Sequence, residues 1–259
     1  MLGLFRSIAF PLLVMAVPLT LVTTNIRFAA SEVRVYDYSV REYDATATTR
    51  VPQDELRRAN RELVTYFTAE DPAPLRIVVT NVDGEEDQLF NARETAHLGD
   101  VRDLFQGLFT VQMLSVALTL VLVVTLFASA PLKVLARALA TGAAFTLALV
   151  GASAVLAYAG FDEVWRQFHF LAFTNDLWEL DPRSDHLIQM FPQDFWFDIT
   201  LLIGASTMLE ALLIGAVSGT YLYLTRWQEE EQLGPREPLR RPLEPRPRIP
   251  PPRPRHLAR

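Results

Sequence analysis

Two of the four histidines in this chain keep company that could do chemistry. His97 stands in Glu94-Thr95-Ala96-His97-Leu98-Gly99-Asp100-Val101. On a helix, Glu94, His97 and Asp100 share a face at three-residue spacing. A carboxylate one turn from an imidazole can fix its tautomer and raise its basicity. The same spacing also serves a plain surface helix with ion pairs. His169 stands between Phe168 and Phe170, with Asn175, Asp176, Trp178 and Asp181 close behind. An imidazole among aromatics can anchor a chain at the lipid–water boundary or transfer protons. His186, beside Asp185, reads as structural, and His256 lies in the C-terminal tail.

Glu210 is a different signal, because it falls inside a long apolar run. A carboxylate within a membrane is costly unless it is protonated or hydrogen-bonded. It reads either as a packing bond to a neighbouring Ser or Thr, or as a proton or substrate site. The chain has no cysteine, which excludes a disulfide framework, a thiolate nucleophile and a Cys-ligated metal. No Ser-His-Asp signature, phosphate-binding glycine loop or H-E-x-x-H is present. The two histidines with their acids are the reactive groups on offer.

Half of the 259 residues are hydrophobic, and the charges avoid four long runs. Each run reaches the roughly 20 residues that a membrane crossing needs. The expected architecture is an α-helical polytopic membrane protein. It has four spans, a small extracytoplasmic α/β cap and a disordered C-terminal tail. Residues 2–24 read as an uncleaved first span, with Pro11 and Pro18 tolerated inside the bundle. Residues 25–106 form the cap. Within it Val33–Val40 alternates like a strand, and Pro52-Gln53-Asp54-Glu55 opens a helix through about Phe67. Leu75–Thr80 reads as a strand that turns at Asp83-Gly84 and pairs with Gln88–Asn91. A helix from about Ala92 continues into the second span, residues 108–129. Pro131 breaks it, and residues 134–158 form the third span, rich in Ala and Gly.

Residues 160–197 then read as an aromatic loop at headgroup depth, dense in Phe and Trp yet broken by Asp and Pro. Residues 199–224 form the fourth span. Residues 228–259 are Pro- and Arg-rich, a tail suited to an anionic membrane face. No nucleic-acid partner is expected. Arg6, Lys133, Arg137 and the tail belong inside by the positive-inside rule, with both termini cytoplasmic. The cap and the aromatic loop, acidic in balance, then share the outer side. His97 and His169 therefore share a compartment.

Glu94-x-x-His97-x-x-Asp100-Val101 and Phe168-His169-x-x-x-Phe173-x-Asn175-Asp176-x-Trp178 bracket the second and third spans. Asp185-x-Leu187-Ile188-x-x-Phe191-Pro192-x-x-Phe195-x-x-Asp198 extends the second block. Together they resemble the bacterial lipoprotein intramolecular transacylase family. That resemblance implies movement of an acyl chain from the diacylglyceryl group of a lipoprotein to its N-terminal cysteine amine. It implies His97 and His169 as catalytic residues, a lipoprotein and membrane lipid as partners, and no cofactor. Glu94, Asp100, Asn175, Asp176, Trp178 and Glu210 are candidates for supporting or substrate-binding roles, and Asn175, Trp178 or a backbone amide for the oxyanion donor. Two other readings stand beside it. One is a metal-dependent membrane hydrolase with His97, His169 and Asp100 or Asp176 as ligands. The other is a transporter or assembly factor without catalysis. The transacylase reading expects both imidazoles to face one lipid-open cavity at the outer surface.

Overall fold

The computed structural model describes residues 2–233, with side chains described from 6 to 228. Eight helices and one hairpin make up the described chain. Four helices are long and apolar enough to cross a membrane: Arg6–Ser31, Ala92–Ser129, Leu132–Ala172 and Gln193–Gln228. They lie within α1 (Leu2–Ser31), α5 (Ala92–Ser129), α6 (Leu132–Ala172) and α8 (Gln193–Leu233).

The 38 residues of α5 and 41 of α6 set the layout. At about 1.5 Å per residue, each is nearly twice the roughly 30 Å hydrocarbon core. Their surplus turns must stand outside it, and those turns carry the two histidines. α5 starts cleanly because Asn91 and Glu94 form a capping box, each side chain accepting from the other's backbone N–H. Pro131 separates α5 from α6. α6 passes the expected end of its span at Tyr158, kinks at Gly160, where the backbone is not helical, and resumes as helix to Ala172. The first dozen residues of the expected loop 160–197 are therefore helix. The aromatic residues Phe161, Trp165, Phe168 and His169 recur there at three- and four-residue steps, a helical stripe rather than loop composition.

α1 and α5 run antiparallel through a ladder of small polar contacts. Thr20 meets Thr119 at 2.8 Å, Thr23 meets Ser115 at 3.4 Å, and Arg27 donates to Gln112 at 2.9 Å. Such pairs hold a bundle where lipid removes the hydrophobic drive between helices. Leu13, Val17, Leu122, Leu126, Leu135 and Ala138 fill the core beneath. Gly142 of α6 lets α1 come close: a Cβ there would stand 3.0 Å from the Val17 Cβ.

The cap is mostly helical. Val33–Val40, expected as a strand, is α2 (Val33–Glu42). Its buried residues are Val35, Tyr36, Ser39 and Val40, a four-residue repeat that the alternating valines masked. α3 (Ala45–Thr49) is bounded by Asp44 and Arg50, both left-handed. α4 (Gln53–Thr68) ends at Ala69, whose N–H donates to the Thr65 carbonyl. Arg102 and Gln106 of α5 satisfy its last carbonyls, donating to Tyr66, Ala69 and Phe67. β1 (Val78–Thr80) pairs antiparallel with β2 (Glu86–Gln88), so the second strand precedes the expected Gln88–Asn91. α7 (His186–Met190) crosses between the loop and α8.

One core joins cap, loop and α8: Tyr36, Leu56, Leu63, Phe67, Leu98, Met190, Phe191 and Phe195 belong to it. Tyr38 and Tyr43 both donate to Asp198 Oδ2 at 2.7 Å, fastening α2 to α8. The Asp198 bond pushes the Tyr38 hydroxyl up, and burial, then the same bond, does so for Tyr43. In the last turns of α8 the Tyr223 and Trp227 rings lie 6.0 Å apart. The expected disordered tail, 228–259, begins as the last turns of α8 to Leu233, and the rest of it lies outside the described residues.

Candidate active site

α5 and α6 bring His97 and His169 to one cavity of about 300 Å³. Their ring centroids are 6.2 Å apart. Both are buried, 6% and 7% exposed. The walls are apolar: Ile26, Leu63, Phe67, Phe105, Trp165, Phe168, Phe173, Trp178, Trp196 and Ile203 are among them. Beside the imidazoles, Gln193 and Thr200 add polar groups to the lining. Phe168 both lines the cavity and is 40% exposed, so the wall it forms also reaches the surface.

The two imidazoles differ in hydrogen bonding. His169 Nδ1 lies 2.8 Å from the Trp165 carbonyl one turn earlier. A carbonyl only accepts, so Nδ1 carries the proton and Nε2 keeps its lone pair. Aromatic rings clasp this imidazole, with Trp165 edge-on at 4.6 Å and Trp178 at 4.8 Å. His97 Nδ1 is buried without a protein partner. Phe173 packs edge-on against its ring at 5.1 Å. A buried nitrogen with no partner is costly unless a bound molecule supplies one.

The other expected site residues scatter. Glu94 turns away from His97. Its Oε1 accepts from Leu187 N and its Oε2 from Asn91 N, each at 2.7 Å, so it joins α5 to α7. Asp100 Oδ2 accepts from Asn175 Nδ2 at 3.0 Å. The Trp178 indole N–H donates to the Asn175 carbonyl at 3.0 Å. The Asn175 amide is thus engaged with α5 and the Trp178 N–H within the loop, rather than offered to the cavity. The Asp176 side chain is exposed, while its carbonyl accepts from Arg93. Glu210 accepts from Asn25 Nδ2 at 2.8 Å, and Asn25 also reaches Thr207 at 3.3 Å. Glu210 is absent from the cavity lining and forms a packing bond between α1 and α8. His186 Nδ1 meets the Leu89 carbonyl at 2.7 Å, a structural contact.

Among the described residues, no group of three or more His, Asp or Glu could hold a metal ion. Asp100 and Asp176, the carboxylates that a metal reading required, are not in the cavity lining. Sequence reasoning missed Trp165, which sets the tautomer of His169. It stands four residues before His169, a signal legible once the helix is known to continue past Gly160.

The model of the family lipoprotein intramolecular transacylase Lit matches residues 11–196, which includes both histidines. The chain belongs to that family. Its members are membrane enzymes. The lipoprotein intramolecular transacylase Lit of Bacillus cereus has a solved structure with the same fold, at a TM-score of 0.73 and 16% identity. The match covers 88% of this chain and 99% of that one. Two variants of the Bacillus cereus protein, with one histidine replaced by arginine or by alanine, match at TM-scores of 0.71 and 16% identity. They cover 88% and 87% of this chain, and 96% and 97% of their own. A search of curated protein sequences finds no match.

Proposed function

We propose that this Lit-family enzyme moves one acyl chain of a diacylglyceryl lipoprotein from a glycerol oxygen to the α-amine of its N-terminal cysteine. The product is the N-acyl lyso-form. The observation that carries this reading is the pair of buried imidazoles, His97 and His169, facing one apolar cavity.

An α-ammonium has a pKa of about 7.7–8.0 and must lose a proton before it can attack. His169 Nε2, its lone pair freed by the Nδ1–Trp165 bond, is the base that takes it. The amine nitrogen then attacks the ester carbonyl. The C–N bond forms as the bond from carbonyl carbon to glycerol oxygen breaks. Nitrogen loses a second proton as the glycerol alkoxide gains one, so counted from the ammonium the reaction releases one proton, which His169 gives up afterwards. His97, which lines the same cavity and whose Nδ1 lacks a protein partner, takes the second proton from nitrogen and passes it to the glycerol oxygen. Amine and ester belong to one molecule, so orientation within the cavity contributes much of the rate. The exposed Phe168 wall lets acyl chains stay in the bilayer while the ester enters.

The enzyme lies in the membrane with the cap outside and both termini in the cytoplasm. The basic tail contacts anionic lipid there. No metal takes part in this reading.

The test is mass spectrometry of lipoprotein N-termini from cells with and without the enzyme. N-acyl lyso-lipoprotein appears only with it. His97→Ala and His169→Ala each lower its formation by at least about 10²-fold, the scale of a lost acid–base group. Full activity in both variants would remove the histidines from the mechanism. Absence of the lyso-form in every strain would remove the function.

A further inference from the structure

Arg93 stands four residues before His97 on α5, outside the cavity, and takes no part in the proton transfers. It reaches across to the loop after α6. Its Nη2 donates to the Asp176 carbonyl and its Nε to the Leu177 carbonyl at 3.4 Å. Three residues beyond His97 on the same helix, Asp100 grips the same loop by accepting from Asn175 at 3.0 Å. Asn175 then organises the turn: its Oδ1 accepts from Leu177 N at 3.1 Å and its carbonyl from the Trp178 indole at 3.0 Å. The Trp178 ring lies 4.8 Å from the ring of His169.

We infer that Arg93 and Asp100 are positioning residues, a clasp that ties the helix of one histidine to the ring resting on the other. The inference rests on the transacylase reading. The clasp differs from the fold-holding contacts nearby. Arg93, Asn175 and Asp176 are exposed, whereas Glu94 and Asp185, which anchor the far end of the loop, are buried. Neither Arg93 nor Asp100 contributes to the core that joins cap and α8. Opening the clasp therefore frees the Trp178 turn and leaves the fold standing. A shift of about 1 Å at a reacting pair can cost up to 10²-fold in rate.

The test uses the full-length protein in detergent micelles and a synthetic diacylglyceryl lipopeptide with a free N-terminal cysteine amine. Arg93→Ala and Asp100→Ala each lower kcat by about tenfold or more. KM and the unfolding temperature stay close to the parent values. Hydrogen exchange of the backbone amides across residues 174–181 becomes faster, a readout that needs no turnover. Asp100→Asn combined with Asn175→Asp reverses donor and acceptor, keeps every bond of the turn, and restores kcat. Arg93→Lys, which keeps one donor, restores part of it. Unchanged kcat in both alanine variants despite faster exchange overturns the inference. So does a reversed pair no better than Asp100→Ala. A parent enzyme that yields no N-acyl product removes the transacylase reading instead, and the inference falls with it.

Discussion

At the scale of single residues, two polar groups near the site differ in whether the protein satisfies them. Glu94 is 1% exposed, and both of its oxygens accept backbone N–H groups. It is saturated and has nothing left for His97. The His97 Nδ1, equally buried, has no partner. A group completed by its own fold holds structure, whereas the His97 Nδ1 keeps its hydrogen-bonding capacity unspent. Glu94→Ala therefore acts on stability. It orphans the buried Leu187 N–H, at about 1–3 kcal/mol, removes the capping bond to Asn91, and lowers the unfolding temperature in micelles. Turnover per folded molecule falls far less than in His97→Ala. A Glu94→Ala enzyme with parent stability and the His97→Ala loss of rate would make Glu94 the partner of the imidazole after all.

At the scale of elements, the helices of the site are longer than the bilayer requires. The outer turns of α5 and α6 leave the hydrocarbon and become the site walls, so each histidine sits on a rigid helix rather than a loop. Their positions depend on packing lower in the bundle, where Gly142 admits α1. A Cβ there would press on Val17 at 3.0 Å and on the Val14 carbonyl at 3.3 Å. Gly142→Leu thus costs about 1–3 kcal/mol or more as an overpacked helix contact. The measurement is thermal unfolding in micelles. Parent stability in that variant would mean that the α1–α6 crossing yields without cost. The cap helices follow the same logic of mutual completion. The carbonyls at the end of α4 are completed from α5, by Arg102 and Gln106.

At the scale of the whole molecule, charge placement predicts an orientation. Lys133 and Arg137 flank the connector between α5 and α6, and the acidic cap lies at the other ends of these helices. Because the chain has no cysteine, single introduced thiols report sidedness without background. Glu85→Cys, in the hairpin of the cap, reacts with a membrane-impermeant maleimide on intact cells. Lys133→Cys reacts only after permeabilisation. The opposite pattern would place the cavity on the cytoplasmic side, away from an outer-leaflet substrate.

Sequence alone determined the four spans, the class of fold and the two histidines. Hydrocarbon solvates no backbone, so apolar runs of spanning length have one helical outcome. Charge flanking placed both histidines on one side. Tertiary structure alone decided what each polar group does. Glu94, Asp100, Asn175 and Glu210 had the chemistry of site residues, yet each makes a hydrogen bond to a distant segment. Spacing along the chain cannot reveal partners about 75 to 185 residues away. The VRVYDYSV stretch fits period 2 and period 3.6 alike, and burial against the cap core selected the helix. The continuation of α6 past Gly160 was hidden by polar residues such as Asp162, Glu163 and Arg166. They mark the exit from the hydrocarbon rather than the end of the helix. That surplus length brings Trp165 under His169 and His169 opposite His97, and so builds the site.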